Sequence, residues 1–329
     1  MKIIPALLSL LVLQICLSVH AATLSGIPEF IDEMVEKHNF NRAELESAFD
    51  HAQHLPPVIA AISRPATIRP WMEYRASFVN KERIRLGLKF WGQYETALRE
   101  AERQYGVPQE IILAVIGVET VYGKDVGTFR TLDALTTLAF AYPQRAKFFR
   151  SELENYLLLA REQQFDLLDI RGSYAGALGI PQFMPSSYRT YAVDFSGDRK
   201  IDLLHETVDA IGSVASYLKG YGWISGEIIA VRAQISEQAC PGETATPRSV
   251  AAWTTAGVLP EMNLAQDDSA RLVDFTVDGG KEFWLAFNNF DVITRYNNSD
   301  YYAMSVLQLA EAVKAARISG DASQTSGAK

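Results

Sequence analysis

The segment AVIGVETVYGKDVG, residues 114–127, decides the fold and poses the main question about this chain. It continues an apolar run, and Pro108 before that run and Gly123 after it are typical of the first and last positions of a helix. The pattern therefore predicts a buried helix over residues 108–122. Near the end of this helix the apolar run carries an ionisable residue, Glu119.

On a helix, Glu119 shares a face with the residues three, four and seven positions earlier, which are Ile116, Val115 and Ile112. That face is apolar, and burial of a carboxyl group there disfavours its charged form and raises its pKa. A carboxylic acid that stays protonated near neutral pH can donate a proton to a leaving-group oxygen. The same spacing also fits a structural glutamate that reaches the surface, so the helix alone leaves both interpretations open.

Composition indicates a globular protein with a large core. Of its 329 residues, 48% are apolar and 21% are charged, which excludes a disordered chain. The net charge of −8 argues against nucleic acid as a partner. Outside the N-terminal segment Cys240 is the single cysteine, so no intramolecular disulfide is expected.

The N-terminal residues 1–21 have the features of a secretory signal peptide. Lys2 precedes an apolar stretch over residues 3–19, and Val19-His20-Ala21 supplies small or modest side chains at the usual cleavage spacing. The residues before Cys16 lack the small side chains of a lipoprotein signal. We therefore expect a soluble exported protein, with a membrane anchor as the alternative.

Hydrophobic periodicity predicts a mainly α fold of the α+β class. Residues 83–106 are expected to form one long amphipathic helix, and runs of β-forming residues at 227–236, 270–278 and 281–296 predict strands. The predicted division is a signal peptide at 1–21, an N-terminal helical region at 22–105, a catalytic core at 106–223, a small β insertion at 224–293, the C-terminal part of the core at 294–317 and a disordered tail at 318–329.

A second unusual segment, GSYAGALGIPQFMPSSY, occupies residues 172–188. Its glycines and prolines predict a compact irregular structure in which backbone can approach a ligand closely. Ser173 and Gln182 would supply neutral hydrogen-bonding groups there. Taken alone, the segment equally fits a glycine-rich connection.

Four motifs in this order resemble the lytic murein transglycosylase B family, whose members are relatives of lysozyme that cut peptidoglycan. They are GVETVYG, GSYAGALGIPQFMPSSY, YAVDFSGD and TRYNNSDYYAM, within a resemblance that extends from Trp71 to Ala312. The resemblance implies a lysozyme-like helical core and a periplasmic enzyme acting on glycan strands. It also implies a monomer without a catalytic cofactor, and it makes other cell-wall enzymes further candidate partners.

By this resemblance Glu119 is the single catalytic acid and base. It protonates the oxygen between N-acetylmuramic acid and N-acetylglucosamine, then deprotonates the muramyl 6-hydroxyl, which closes a 1,6-anhydro ring without water. Ordinary glycosidases need two carboxylates. Nearby, the sequence offers Asp125 and Asp133, and neither has a spacing that places it opposite Glu119.

The resemblance implies several substrate-binding residues. Ser173 is expected to hydrogen-bond near the acid, and Gln182 to line the cleft. Arg145 remains from an arginine pair of the family, because Gln144 replaces its first member. The others are expected to line the sugar sites with aromatic or amide groups, and they are Tyr74, Tyr217, Tyr296, Asn297 and Tyr302.

The segment that starts at Asp194 has the ligand spacing of an EF-hand. The resemblance implies a structural calcium ion in a longer loop, with ligands from Asp194, Ser196, Asp198, the Lys200 carbonyl and Asp209. Arg199 occupies the position where glycine normally makes the turn. An aspartate-rich surface turn that caps the next helix is the alternative.

Two other functions remain open at the level of sequence. A hydrolytic lysozyme would use water and a second carboxylate, and a non-catalytic scaffold would bind peptidoglycan or calcium without cleaving it. The presence of Glu119, Ser173, Gln182 and Asn297 together favours the transglycosylase.

Overall fold

The computed structural model describes residues 24–64 and 69–326, with side chains described as far as residue 320. The predicted signal peptide at 1–21 lies outside the described residues. The helices are α1 Ile27–His38, α2 Arg42–Asp50, α3 Pro56–Ile62, α4 Trp71–Phe78, α5 Lys81–Gln93, α6 Glu95–Tyr105, α7 Gln109–Thr120, α8 Thr131–Ala141, α9 Ala146–Gln163, α10 Pro185–Tyr191, α11 Thr207–Gly220, α12 Val250–Thr255, α13 Asn288–Thr294 and α14 Asp300–Ser326.

The strands belong to two antiparallel sheets. They are β1 Phe129–Arg130, β2 Arg171–Gly172, β3 Ala230–Ile235, β4 Arg248–Ser249, β5 Val258–Pro260, β6 Ser269–Val277 and β7 Gly280–Ala286. Strands β1 and β2 pair with each other, and the other five form one sheet in the order β4-β6-β7-β3-β5. The Asp278–Gly279 turn joins β6 to β7, with Val277 opposite Gly280. The mainly helical fold class with a small β-region is confirmed.

Helix α7 is the centre of the helical core. Every side chain from Ile111 to Ile116 is at most 2% exposed, because α5, α6, α11 and α14 all pack against this helix. An apolar run without polar alternation is what a helix covered on all sides requires. A separate apolar cluster around Trp253 stabilises the β-region, and the Trp71 ring joins the helices to β6 by contacting Phe275 at a centroid distance of 4.6 Å.

The structure corrects the long helix predicted over residues 83–106. Its backbone breaks at Tyr94, whose φ of −116° and ψ of 23° end α5 and start α6. The two helices then pack on different neighbours, since α5 contacts α14 while α6 contacts α11. The amphipathic period continues across Tyr94, so periodicity alone did not reveal the break.

The strand predicted over residues 281–296 is also wrong in its second half. β7 ends at Ala286 and α13 begins at Asn288. The side chain of Asn289 is fully buried and bonds both the N–H and the carbonyl of Ile224, which ties α13 to the segment that follows α11. Aromatic and β-branched residues favour strands, but here packing against α14 overrides that preference.

The end of the chain differs from prediction as well. Helix α14 continues to Ser326, so the first part of the segment predicted as a disordered tail is helical. In the part of the chain that the structure describes, no helix is both long and apolar enough to cross a membrane.

Candidate active site

The end of α7 is closed by an unusual turn. Val121, Tyr122 and Gly123 all have left-handed backbone, with φ of 51°, 62° and 84°. The N–H groups of Val121 and Tyr122 both donate to the carbonyl of Ile116, as in a helix-terminating motif. Left-handed backbone is costly for a β-branched residue such as Val121, and strain of this kind concentrates at functional sites. The turn leaves Glu119 on the last turn of the helix.

The carboxyl group of Glu119 is partly buried and accepts one hydrogen bond. The Tyr302 hydroxyl donates to its Oε1 at 2.5 Å. Burial raises the pKa of Glu119 to about 7, although the Tyr302 hydrogen bond and the charge of Arg83 act in the opposite direction. Near neutral pH the group therefore populates both forms, so it can release a proton and take one back.

The two local carboxylates are not placed to assist Glu119. Asp125 is exposed. Asp133 is buried, but it accepts the N–H of Gln53 at 2.9 Å and pairs with Arg130 at 2.8 Å. Among the residues that the structure describes, no second carboxylate contributes to the pKa shift of Glu119. The site therefore contains one acid rather than a pair.

Four of the predicted tyrosines surround Glu119. The Tyr302 and Tyr296 rings stack at 6.3 Å between centroids, and Tyr217 contacts Tyr296 at 4.7 Å. Two hydroxyls bond to backbone, since Tyr296 donates to Pro181 O at 2.9 Å and Tyr217 to Arg295 O at 2.6 Å. Burial and the charge of Glu119 raise the pKa of Tyr74 to about 12. These tyrosines are therefore neutral at physiological pH.

Ser173 shapes the loop that faces α7. Its Oγ accepts the N–H groups of Ala175 at 3.3 Å and Ala177 at 3.0 Å, which fixes a tight turn. Within residues 24–64 and 69–320, Ser173 makes no hydrogen bond to Glu119, and its side-chain hydrogen bonds stay within its own loop. The buried Thr120 hydroxyl instead joins the helix to this loop by donating to Ile180 O at 2.8 Å.

Gln182 is held in one orientation by the same loop. Its backbone is left-handed, with φ of 52°, and its Nε2 donates to the carbonyls of Val126 at 3.1 Å and Gly179 at 2.8 Å. Gly179 is required here, because it has φ of 68° and an added Cβ would collide with the carbonyl of Leu203. Hydrogen bonds and close packing thus hold this loop in one conformation beside α7.

Two predicted substrate-binding residues make no contact with this group. Arg145 is exposed in a short 3₁₀ helix, Pro143–Arg145, and its guanidinium lies 4.4 Å from the Phe148 ring. Asn297 is exposed beside Tyr296, and its backbone carbonyl accepts the N–H of Ser299 at 2.7 Å. Asn297 is therefore near the tyrosines only as the sequence neighbour of Tyr296, and the contacts of Arg145 in the described residues do not include Glu119.

The predicted calcium loop is stabilised by its own acidic side chains. Asp194 accepts the N–H groups of Gly197 and Arg199, each at 2.7 Å. Arg199 has φ of 72°, so it adopts the left-handed conformation that glycine normally provides. Asp209 is 1% exposed and accepts the N–H groups of Phe195, Ser196 and Asp202. Across the described residues, no three His, Cys, Asp or Glu side chains converge on one point.

Sequence reasoning missed Arg83, which lies against the end of α7. Its Nη1 donates to the carbonyls of Gly117 and Val118, the latter at 3.5 Å. Arg83 is one of several cations in an amphipathic stretch, and nothing in the local sequence distinguishes it from exposed neighbours such as Arg85.

Comparison with known proteins agrees with this geometry. A family model described as the transglycosylase SLT domain matches residues 24–311. The chain belongs to this transglycosylase family. It is 45% identical over 300 residues to membrane-bound lytic murein transglycosylase B of Escherichia coli (strain K12), covering 88% of this chain and 83% of that protein.

Solved structures of transglycosylases match the fold closely. The calcium complex of Escherichia coli lytic transglycosylase SLT35 matches with a TM-score of 0.85 and 45% identity, over 90% of this chain and 95% of that one. A complex of Pseudomonas aeruginosa SltB3 with NAG-anhNAM-pentapeptide matches with a TM-score of 0.78 and 28% identity, over 88% and 78% of the two chains. The predicted family and the lysozyme-like helical core are confirmed.

Proposed function

We propose that this transglycosylase cleaves the β-1,4 bond between N-acetylmuramic acid and N-acetylglucosamine without water, with Glu119 as acid and then base. The observation that carries the proposal is a single partly buried carboxyl group whose pKa is raised to about 7 by burial, with no second carboxylate contributing to that shift among the described residues. A hydrolytic lysozyme would need a partner for Glu119.

The two halves of the reaction use the two forms of Glu119. Because the Tyr302 hydroxyl already donates to Oε1, the transferable proton is assigned to Oε2. That proton moves to the bridging oxygen as the bond from the anomeric carbon breaks. The resulting carboxylate then takes the proton of the muramyl 6-hydroxyl while O6 bonds to the anomeric carbon. No water is consumed, and Glu119 ends protonated as it began.

The Tyr302 hydroxyl can stabilise both the protonated and the charged form of Glu119. A hydroxyl that donates to a carboxyl group makes a stronger hydrogen bond when that group becomes a carboxylate. The tyrosine rings around Glu119 also offer faces on which sugar rings can stack. The related SltB3 forms a complex with NAG-anhNAM-pentapeptide, and the anhydro sugar of that ligand supports an anhydro product here.

Digestion of purified murein sacculi tests the proposal. We expect mass spectrometry of the released muropeptides to show products lighter by one water than their hydrolytic counterparts. Reducing-end products would indicate a lysozyme instead. Glu119→Gln should abolish release while the protein still binds sacculi, whereas a non-catalytic scaffold would release nothing even as the unsubstituted protein.

For the loop 194–200 we propose a structural calcium ion held by Asp194, Ser196, Asp198 and the Lys200 carbonyl. The left-handed Arg199 and the calcium complex of SLT35 support this. Asp209, the predicted closing ligand, accepts three backbone N–H groups, and Asp194 likewise accepts three hydrogen bonds, so we keep both carboxylates in the proposed ligand set and expect Asp209 also to anchor the loop. Calcium should raise the melting temperature, and Asp198→Asn should remove that response, with magnesium as the control.

For cellular location we propose export to the periplasm, where murein lies. The signal features of residues 1–21 support this. Assembly with other cell-wall enzymes, action as a monomer, and substrate contacts from Arg145 and Asn297 stay predictions. Binding of glycans that carry or lack stem peptides by Arg145→Ala and Asn297→Ala variants would test the substrate contacts.

A further inference from the structure

At the C-terminal end of α7, only some of the last carbonyl groups accept hydrogen bonds from backbone N–H groups. Ile116 O accepts the N–H groups of both Val121 and Tyr122, and Thr120 O accepts those of Lys124 and Asp125. The left-handed turn thus directs these N–H groups away from the carbonyls of Gly117 and Val118. Both of those carbonyls face the guanidinium of Arg83. A side chain from α5 therefore caps the helix that carries Glu119.

Arg83 is held in place from its other side. Its own backbone N–H is capped by the Asn80 side chain at 3.0 Å, and its Nε donates to Ser77 O at 3.1 Å. The guanidinium also lies 5.2 Å from the centre of the Phe78 ring. The end of α4, the start of α5 and the end of α7 consequently meet at one cation.

Among the described residues, the charge of Arg83 has no ion-pair partner. The side chain is half-buried, its hydrogen bonds go to neutral carbonyls, and no carboxylate lies within 4.0 Å of it in the described part of the chain. The acidic groups that its field reaches are, from the strongest interaction to the weakest, the Tyr122 hydroxyl, Asp125 and Glu119. Asp125 is exposed and screened by water, so Glu119 is the partly buried carboxyl group on which this cation acts.

We propose that Arg83 is a positioning residue for Glu119: it caps the carbonyl end of α7 and supplies the cation that stabilises the Glu119 carboxylate between the two half-reactions. The proposal rests on the acid-and-base role given to Glu119 above. The other groups facing Glu119 from neighbouring elements are neutral hydroxyls, which are those of Tyr74 on α4, Tyr217 on α11, Tyr296 after α13 and Tyr302 on α14.

A nearby cation would favour a single-acid mechanism. After the proton leaves, the carboxylate stands in a site where desolvation disfavours charge. The negative end of the α7 dipole disfavours it further, since Gly117 and Val118 precede Glu119 directly. Arg83 offsets both effects, because its guanidinium contacts those carbonyls and its positive charge attracts the Glu119 carboxylate. It can do this without touching the substrate.

The test compares Arg83→Gln and Arg83→Lys with Arg85→Gln as a matched control. Arg85 lies on the same helix but is exposed and pairs with Glu82 at 2.7 Å. For Arg83→Gln we expect the alkaline limb of the pH profile of kcat/KM to move to higher pH by roughly half to one unit, because loss of the cation raises the pKa of Glu119. We also expect kcat to fall about three- to tenfold, with little change in KM. Arg83→Lys, which keeps the charge, and Arg85→Gln should keep the position of the limb.

A purely structural role would give a different result. It would lower the melting temperature and kcat of Arg83→Gln but leave the midpoint of the limb unchanged, and that outcome overturns the proposal. If Arg83→Gln does not fold, the comparison moves to Arg83→Lys and Arg83→Met. If the alkaline limb of Arg83→Lys moves as far as that of Arg83→Met, the proposal is likewise overturned.

A second measurement separates this proposal from the proposed function. Carbon-13 labelling of glutamate carboxyl groups, with Glu119→Gln to assign the resonance, gives the Glu119 titration directly. An Arg83→Gln shift in this titration supports the proposal even if the products prove to be hydrolytic. A Glu119 resonance that titrates identically in both proteins refutes it even if the products are anhydro sugars.

Discussion

Replacing Glu119 with glutamine should stabilise the fold, and the gain should depend on pH. Burial raises the pKa of this carboxyl group from 4.5 to about 7. Because the folded-state pKa lies above the unfolded one, its contribution to stability is complete below about pH 4.5 and is lost as pH rises through about 7. Glutamine does not ionise and so avoids this loss.

The size of the effect follows from the same two values. A shift from 4.5 to about 7 corresponds to about 3 kcal/mol at pH 8, since each pKa unit is worth about 1.4 kcal/mol. At about 2 °C for each kcal/mol in a large domain, the melting temperature of Glu119→Gln should exceed that of the unsubstituted protein by roughly 6 °C. Glutamine Oε1 can still accept from Tyr302, so the geometry is kept.

Thermal unfolding of both proteins at pH 5 and pH 8 checks this. We expect a difference that is small at pH 5 and several times larger at pH 8. Glu82→Gln is the control, because Arg85 lowers the pKa of exposed Glu82, so this group is ionised at both pH values and its effect on stability should be nearly the same at pH 5 and pH 8. A Glu119→Gln difference that is equal at both pH values would refute the argument, since it would mean that Glu119 has an ordinary pKa in the folded protein.

Three further outcomes are expected. The kcat/KM for murein should fall as pH rises through about 7, because Glu119 must start protonated; a profile flat to pH 9 would contradict this. Thr120→Val should cost about 2 kcal/mol in chemical unfolding, because it leaves Ile180 O and Gly123 N without their hydrogen bonds. Thr136→Val should cost little, because the buried Thr136 hydroxyl has no hydrogen-bond partner among the described residues. Gly179→Ala should lower the free energy of unfolding by about 3 kcal/mol, whereas Gly92→Ala, in open space on α5, should not lower it. Equal effects of the two substitutions would exclude the steric explanation.

The sequence by itself determined the elements whose signals are local. The apolar run before Glu119 predicted a fully buried helix, and its glycine and proline neighbours predicted the ends to within two residues. The motifs identified the family, and the resemblance pointed to Glu119 and to four of the tyrosines that the structure places around it. Each of these signals depends on residues that are only a few positions apart, so it can be recognised without knowing the fold.

Only the tertiary structure decided how distant residues meet. Tyr302 donates to Glu119 across 183 positions in sequence, and Arg83 reaches Gly117 across 34. The break at Tyr94 likewise depends on the different neighbours of α5 and α6. No periodicity encodes such contacts, because they arise when helices pack, and the burial that raises the pKa of Glu119 exists only once that packing is complete.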